Sequence, residues 1–186
     1  RSRILDAAEK EVCQSGLQKL QTAAVAKAAN VAHGTVFTHF PTKEQLILEI
    51  LDRKLGEFTA KLNAQLHDCN EFPEVLNIYL AFLEAEEPFF VVLAQEIPIL
   101  PENLRNQVLF REALIRSHFF RALKRGIANG QYKPVNITDF LSLLFGAIQY
   151  YLTMKQIFSP NENIIQKHKE KITKLIFQLI QQPSTD

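Results

Sequence analysis

Ala32-His33-Gly34-Thr35-Val36-Phe37-Thr38-His39-Phe40, with Lys43 just beyond, concentrates hydrogen-bonding side chains on one short segment of this 186-residue chain. None of these residues forms a nucleophile–base pair, a carboxylate pair or a metal-ligand cluster. What they can do is donate to and accept from a partner's polar edges. Val36 and Phe40 are four apart and apolar, so a helix here buries that pair. Ala32, His33, Thr35, Phe37, Thr38 and His39 then turn outward. Two imidazoles can meet phosphates or bases. Two threonine hydroxyls can bond either, and a threonine methyl can touch a thymine methyl. Gly34 removes a side chain where backbone can approach a phosphate. Lys43 brings an ammonium to the start of the next helix, where free backbone N–H groups also favour a phosphate. The chemistry predicted is DNA recognition.

Elements on either side must hold that segment. Thr22-Ala-Ala-Val-Ala-Lys-Ala-Ala29 predicts a short helix over 22–29, with Thr22 as its cap and as a contact to the DNA backbone. Ala26, Ala28 and Ala29 keep this helix slim. Asn30 suits the left-handed turn that follows, and the next helix covers about 32–40. Val25, Val31, Val36 and Phe40 are spaced to face inward. The pair is a helix-turn-helix. Before it, Ile4, Leu5, Ala8 and Val12 mark a first helix that Gly16 ends. After it, Pro41 is a stop, and Thr42-Lys-Glu-Gln45 reads as a capping box opening a long helix to about residue 67.

The helical period continues to the end, with further helices near 73–86, 88–97, 102–129, 137–158 and 162–182. About nine helices and no strands make an all-α fold. Apolar residues reach 47%, enough for a real core rather than a disordered chain. Six scattered glycines leave no Gly-rich phosphate loop, and no catalytic constellation appears, so an enzyme is not expected. The first 43 residues carry six basic against three acidic side chains, while the whole chain is only +1, so the excess sits at the DNA-contacting end. Cys13 on an apolar helix face and Cys69 in a polar break, with no CxxC, exclude a zinc site or disulfide framework. No secretory pattern opens the sequence and no apolar run is long enough to span a bilayer. A cytoplasmic protein is expected, with no metal and no cofactor.

The 137–158 segment is apolar almost all round, and 162–182 carries a wide apolar stripe. Such faces need cover. A two-fold four-helix bundle between copies of the chain would supply it, through Phe140, Leu144, Ile148, Tyr151, Ile165, His168, Ile172, Leu175, Ile176 and Leu179. The other solution is burial of these helices within a monomer's own core.

The first 50 residues resemble the N-terminal domain of the TetR (tetracycline-repressor-like) family. Ile4-Leu5, Ala7-Ala8, Gly16, Val25-Ala26, Ala29-Asn30-Val31, Gly34-Thr35, His39-Phe40 and Lys43-Glu44 with Leu46 carry the resemblance at unbroken spacing. It implies a helix-turn-helix DNA-binding domain over 1–45 and a regulatory domain over 46–186 for ligand binding and dimerisation. It also implies a homodimeric repressor on a palindromic operator. DNA contacts then fall to Thr22, Ala32, His33, Gly34, Thr35, Phe37, Thr38, His39 and Lys43. Three positions depart from the family's pattern. Phe37 stands where a tyrosine is usual, so only apolar contact is available there. His33 stands where a lysine or similar polar residue is favoured; because histidine charges near neutrality, binding is expected to vary between about pH 6 and 8. Leu20-Gln21 replaces a frequent threonine pair.

The resemblance further implies a small-molecule effector held among the middle helices. Phe82, Phe89, Phe90, Phe110, Phe119 and Tyr150 are candidate lining, with Glu86, His118 and Gln149 as polar groups; such a lining favours an apolar or amphipathic compound. The long helix from Thr42 is expected to be the only covalent route from that pocket to the reading head. The competing reading is an all-helical protein-interaction module that has lost DNA binding. It would place acidic or apolar residues outward on 32–40, and this sequence does not.

Overall fold

The computed structural model describes residues 1–66 and 71–182. Cys69 and most of the polar break at 68–71 lie outside the described residues. The helices are α1 (Ser2–Ser15), α2 (Thr22–Ala28), α3 (His33–His39), α4 (Lys43–Leu66), α5 (Phe72–Ala85) and α6 (Glu87–Glu96). A 3₁₀ turn (Ile97–Ile99) precedes α7 (Glu102–Ala128), α8 (Ile137–Thr153), α9 (Lys155–Phe158) and α10 (Ile164–Ile180). Among the described residues there is no strand. The all-α expectation holds, with ten α-helices among the described residues rather than about nine.

Local chemistry explains most boundaries. Gly16 caps α1 with φ 91°. A side chain there would be strained, and its Cβ would lie 2.3 Å from Glu96 Oε1. Gly16→Ala is expected to cost about 1–2 kcal/mol, the usual penalty for a left-handed non-glycine residue. Urea denaturation checks this; an unchanged midpoint would contradict it. Asn30 takes φ 54°. Val31 N–H then donates to Ala26 O and Asn30 N–H to Lys27 O, the two bonds of a Schellman ending. Thr42 Oγ1 accepts from Gln45 N–H at 3.1 Å, the Thr42 half of the predicted box. The Asn136 and Asn163 side chains cap α8 and α10.

Two expectations need correction. Thr22 is not a cap: it is the first residue of α2, and Gln21 precedes it with no side-chain cap bond. The predicted 137–158 helix is broken at Met154. The short α9 turn brings the Lys155 ammonium to the Ser159 and Glu162 carbonyls and within 3.8 Å of the buried Glu87 carboxylate. Satisfying those groups replaces continuation of one straight helix.

The chain forms two compact units: Arg1–Glu57 with Pro88–Arg111, and Phe58–Glu87 with Glu112 onward. In the first, α1 meets α2 and α2 meets α3. Ile4, Ala8, Val12, Leu17, Leu20, Val25, Val36, Phe40, Leu46, Ile50 and Leu51 share one core with Phe89, Leu93, Leu100, Leu104 and Val108. Arg53 ties α4 to α1 through Asp6 (2.8 Å) and Glu9 (2.9 Å). In the second, Phe72 is fully buried, with the rings of Phe119, Tyr132, Phe140 and Phe177 at 5.7–6.2 Å. Tyr79, Phe119 and Phe145 form a second aromatic group, and Arg116 lies over Phe145 at 4.4 Å. Here α10 meets both α5 and α8.

The chain crosses between units three times, at 57–58, 87–88 and 111–112. The long α4 is therefore one of three covalent routes, not the only one.

Candidate nucleic-acid interface

The reading segment is built from the inside out. Val25 and Val36 are fully buried, Phe40 nearly so, and Val31 is half-buried against the same core. These four fix α3 against α2 as their spacing predicts. Ala26 and Ala29 are buried and Ala28 is exposed. On the opposite side Ala32, His33, Gly34, Phe37, Thr38 and His39 are exposed. Thr35 is half-buried and turns less outward than expected. A Cβ on Gly34 would meet nothing within 4 Å, so this backbone is open to a partner.

Several outward groups are already oriented. Thr22 Oγ1 and His33 Nε2 are 2.9 Å apart, joining α2 to α3. Phe37 is 41% exposed, a large apolar ring that a free helix would hide. It meets the His33 ring edge-on at 5.1 Å. The exposed Thr38 donates through Oγ1 to Gly34 O at 3.0 Å, which uses its hydrogen and leaves the oxygen able to accept. The half-buried Lys43 donates through Nζ to Gln18 O. Gln18 N–H in turn donates to Glu96 Oε2 at 3.0 Å. Sequence reading missed Gln18 and Glu96. Their role is to brace the loop beside Lys43, and a bond between residues 78 apart leaves no local signal.

The candidate effector residues divide between the two units. Phe89, Phe90 and Phe110 belong to the first unit; Phe89 and Phe90 meet edge-on there, while Phe110 is largely exposed. The other six belong to the second. Phe119 is in the aromatic core, and Phe82 lies beside Phe58. His118 Nε2 bonds Asn63 Oδ1 at 2.7 Å and Nδ1 bonds Arg121 at 3.0 Å. Burial, reinforced by the Arg121 charge, holds this imidazole below its ordinary pKa. Glu86 is half-buried, and Gln149 and Tyr150 face outward. A groove of about 500 Å³ between α5 and α10, lined by Asn77, Leu80, Ala81, Lys169, Glu170, Thr173 and Lys174, includes none of the nine.

The expected dimer residues also divide. Phe140, Leu144, Ile148, Ile165, Ile172 and Ile176 are buried by their own chain and have no surface left for a partner. Tyr151 and His168 stack at 4.2 Å and are half-buried. Leu175 and Leu179 remain about half exposed on α10. On α8, Leu143 and Tyr150 are exposed, with Gly146 open between them. Burial within the chain's own core accounts for one face of these helices, and the other face is exposed in the single chain.

Residues 4–50 match the model of the bacterial regulatory proteins of the tetR family. The chain belongs to the TetR family. Its relatives agree. The fatty acid metabolism regulator protein of Bacillus subtilis is 22% identical over 159 residues, covering 81% of this chain and 80% of the relative. The HTH-type transcriptional repressor KstR of Mycolicibacterium smegmatis is 39% identical over 137 residues, covering 68% of this chain and 64% of the relative. Among solved structures, the regulator FadR from Bacillus subtilis in complex with stearoyl-CoA superposes with a TM-score of 0.77 at 20% identity, covering 94% and 96% of the two chains. That last likeness is one of fold. This TetR-family chain is a DNA-binding transcriptional regulator and not an enzyme. Among the described residues, no helix is long and apolar enough to cross a membrane.

Proposed function

We propose that the protein is a ligand-responsive, homodimeric repressor that acts in the cytoplasm on a palindromic operator. The observation that carries this reading is the two-sided α3: Val36 and Phe40 locked inward, His33, Phe37, Thr38 and His39 left outward. Residues 1–45 act as the DNA-binding domain and 46–186 as the regulatory one. A two-fold pair of α3 helices enters successive major grooves about 34 Å apart. Exposed Leu143 and Tyr150 on α8, with Leu175 and Leu179 on α10, supply the self-complementary face that holds the pair together.

An apolar or amphipathic effector suits the aromatic content of the second unit, and the stearoyl-CoA complex of FadR supports a long acyl chain as its class. Phe82, Glu86, His118, Gln149 and Tyr150 are the candidate side chains of that unit offered to it. Binding that favours one spacing of the two α3 helices over another changes operator affinity. A coupling of about 1–3 kcal/mol is enough for a useful switch.

A gel shift with DNA upstream of the protein's own gene tests the reading. We expect a sequence-specific complex at low salt; no such complex would favour an interaction module instead. Within that assay, Lys43→Ala is expected to weaken binding to all sequences alike and lower the salt slope by about one. Thr38→Ala is expected to alter sequence preference, because it removes the acceptor and methyl that face a base. A changed preference from Lys43→Ala would overturn that assignment.

A further inference from the structure

The bond between Thr22 Oγ1 and His33 Nε2, 2.9 Å long, joins the first residues of α2 and α3. It can form in two ways. In one, the Thr22 hydroxyl donates to a neutral Nε2. In the other, Nε2–H donates to the hydroxyl oxygen. The two differ in what remains for DNA. Phosphate oxygens only accept. A Thr22 hydroxyl that has donated to His33 has no hydrogen left for a phosphate. One that accepts from His33 keeps its hydrogen and becomes a better donor, because an accepted bond polarises the O–H.

We propose that His33 is a positioning residue for the DNA backbone. It donates through Nε2–H to Thr22 Oγ1 and so fixes the Thr22 hydroxyl as a phosphate donor. The half-burial of Thr22 restricts that side chain on one side, and the edge-on Phe37 ring restricts His33 on the other. His33 thereby acts at the DNA through Thr22 rather than by its own contact. The exposed Phe37, which touches His33 and lacks a hydroxyl, completes the support without competing for the phosphate. This inference rests on the reading of α2 and α3 as the DNA-facing elements.

The test is a double-mutant cycle on full-length protein, titrating a labelled duplex selected by the wild type from a random pool. Thr22→Val keeps the shape and removes the hydroxyl. His33→Leu removes the donor. His33→Gln places an amide N–H near the position of Nε2. Each single loss is expected to weaken binding about ten- to 150-fold, the ordinary effect of one hydrogen bond to a charged group. The Thr22→Val/His33→Leu double variant should bind no more weakly than Thr22→Val, and His33→Gln should retain most of the wild-type affinity. All variants should keep the wild-type melting temperature, since neither side chain is buried in the core. Multiplying losses, or failure of His33→Gln to rescue, would overturn the proposal alone. A wild type that selects no sequence would overturn the DNA-facing reading and the proposal with it.

Discussion

Replacing Leu175 and Leu179 together with glutamate is expected to yield a monomer that binds a selected operator duplex about two to four orders of magnitude more weakly than the wild type. Both side chains are about half exposed on α10, one turn apart, while Ile172, Ile176 and Ile180 on the same helix are buried in the chain's own core. The substitutions therefore leave the single-chain core intact and place charge only where a second copy would sit. Burying unpaired carboxylates in a two-fold interface repeats the cost on both sides of the axis. The loss in DNA affinity follows because each reading head would bind its half-site alone, without the effective concentration that linkage provides. Sedimentation equilibrium with parallel fluorescence anisotropy checks both parts. A variant that remains dimeric would place the interface elsewhere. A monomer that keeps full affinity would separate dimerisation from DNA binding.

Phe72→Ala is expected to destabilise the protein by about 3–5 kcal/mol, the range for truncating a fully buried phenylalanine. Phe72 is 0% exposed, and its ring meets those of Phe119, Tyr132, Phe140 and Phe177. These neighbours come from α7, the loop after it, α8 and α10, so the cavity cannot close by moving one side chain. A total stability of about 5–15 kcal/mol makes this a large fraction. Chemical denaturation should show a lower midpoint, and a loss below about 1 kcal/mol would show that the surrounding helices collapse into the gap. The effect on DNA binding should be indirect, since Phe72 lies outside the unit that contains α3.

The reading head was legible in the sequence because its signals are local. Gly16, Asn30 and Pro41 punctuate the chain where the helices end, and Val25, Val36 and Phe40 repeat at helical spacing. The outward set of α3 followed by subtraction. What was not legible depends on residues far apart in the chain. Leu93, Leu104 and Val108 read as helical, but nothing local says that they join the N-terminal core. Glu96 reaches Gln18 by folding, not by spacing. Thr22 sits where a cap is expected, yet its hydroxyl bonds a histidine on the next helix. The apolar periodicity of α8 and α10 showed that both needed cover without saying how much their own chain provides. Ile148 and Leu179 look alike in sequence; one is 2% exposed and the other 45%. Only packing separates them.

The central claim is that α3 of a two-fold pair reads DNA through its outward side chains. Selection of bound duplexes from a random pool, using full-length wild type and Thr38→Ala in parallel, tests it most directly. The account predicts an inverted repeat for the wild type, with half-sites in successive major grooves, and an altered preference within each half-site for Thr38→Ala. A wild type that enriches no inverted repeat, or a Thr38→Ala variant that enriches the same one unchanged, would contradict it.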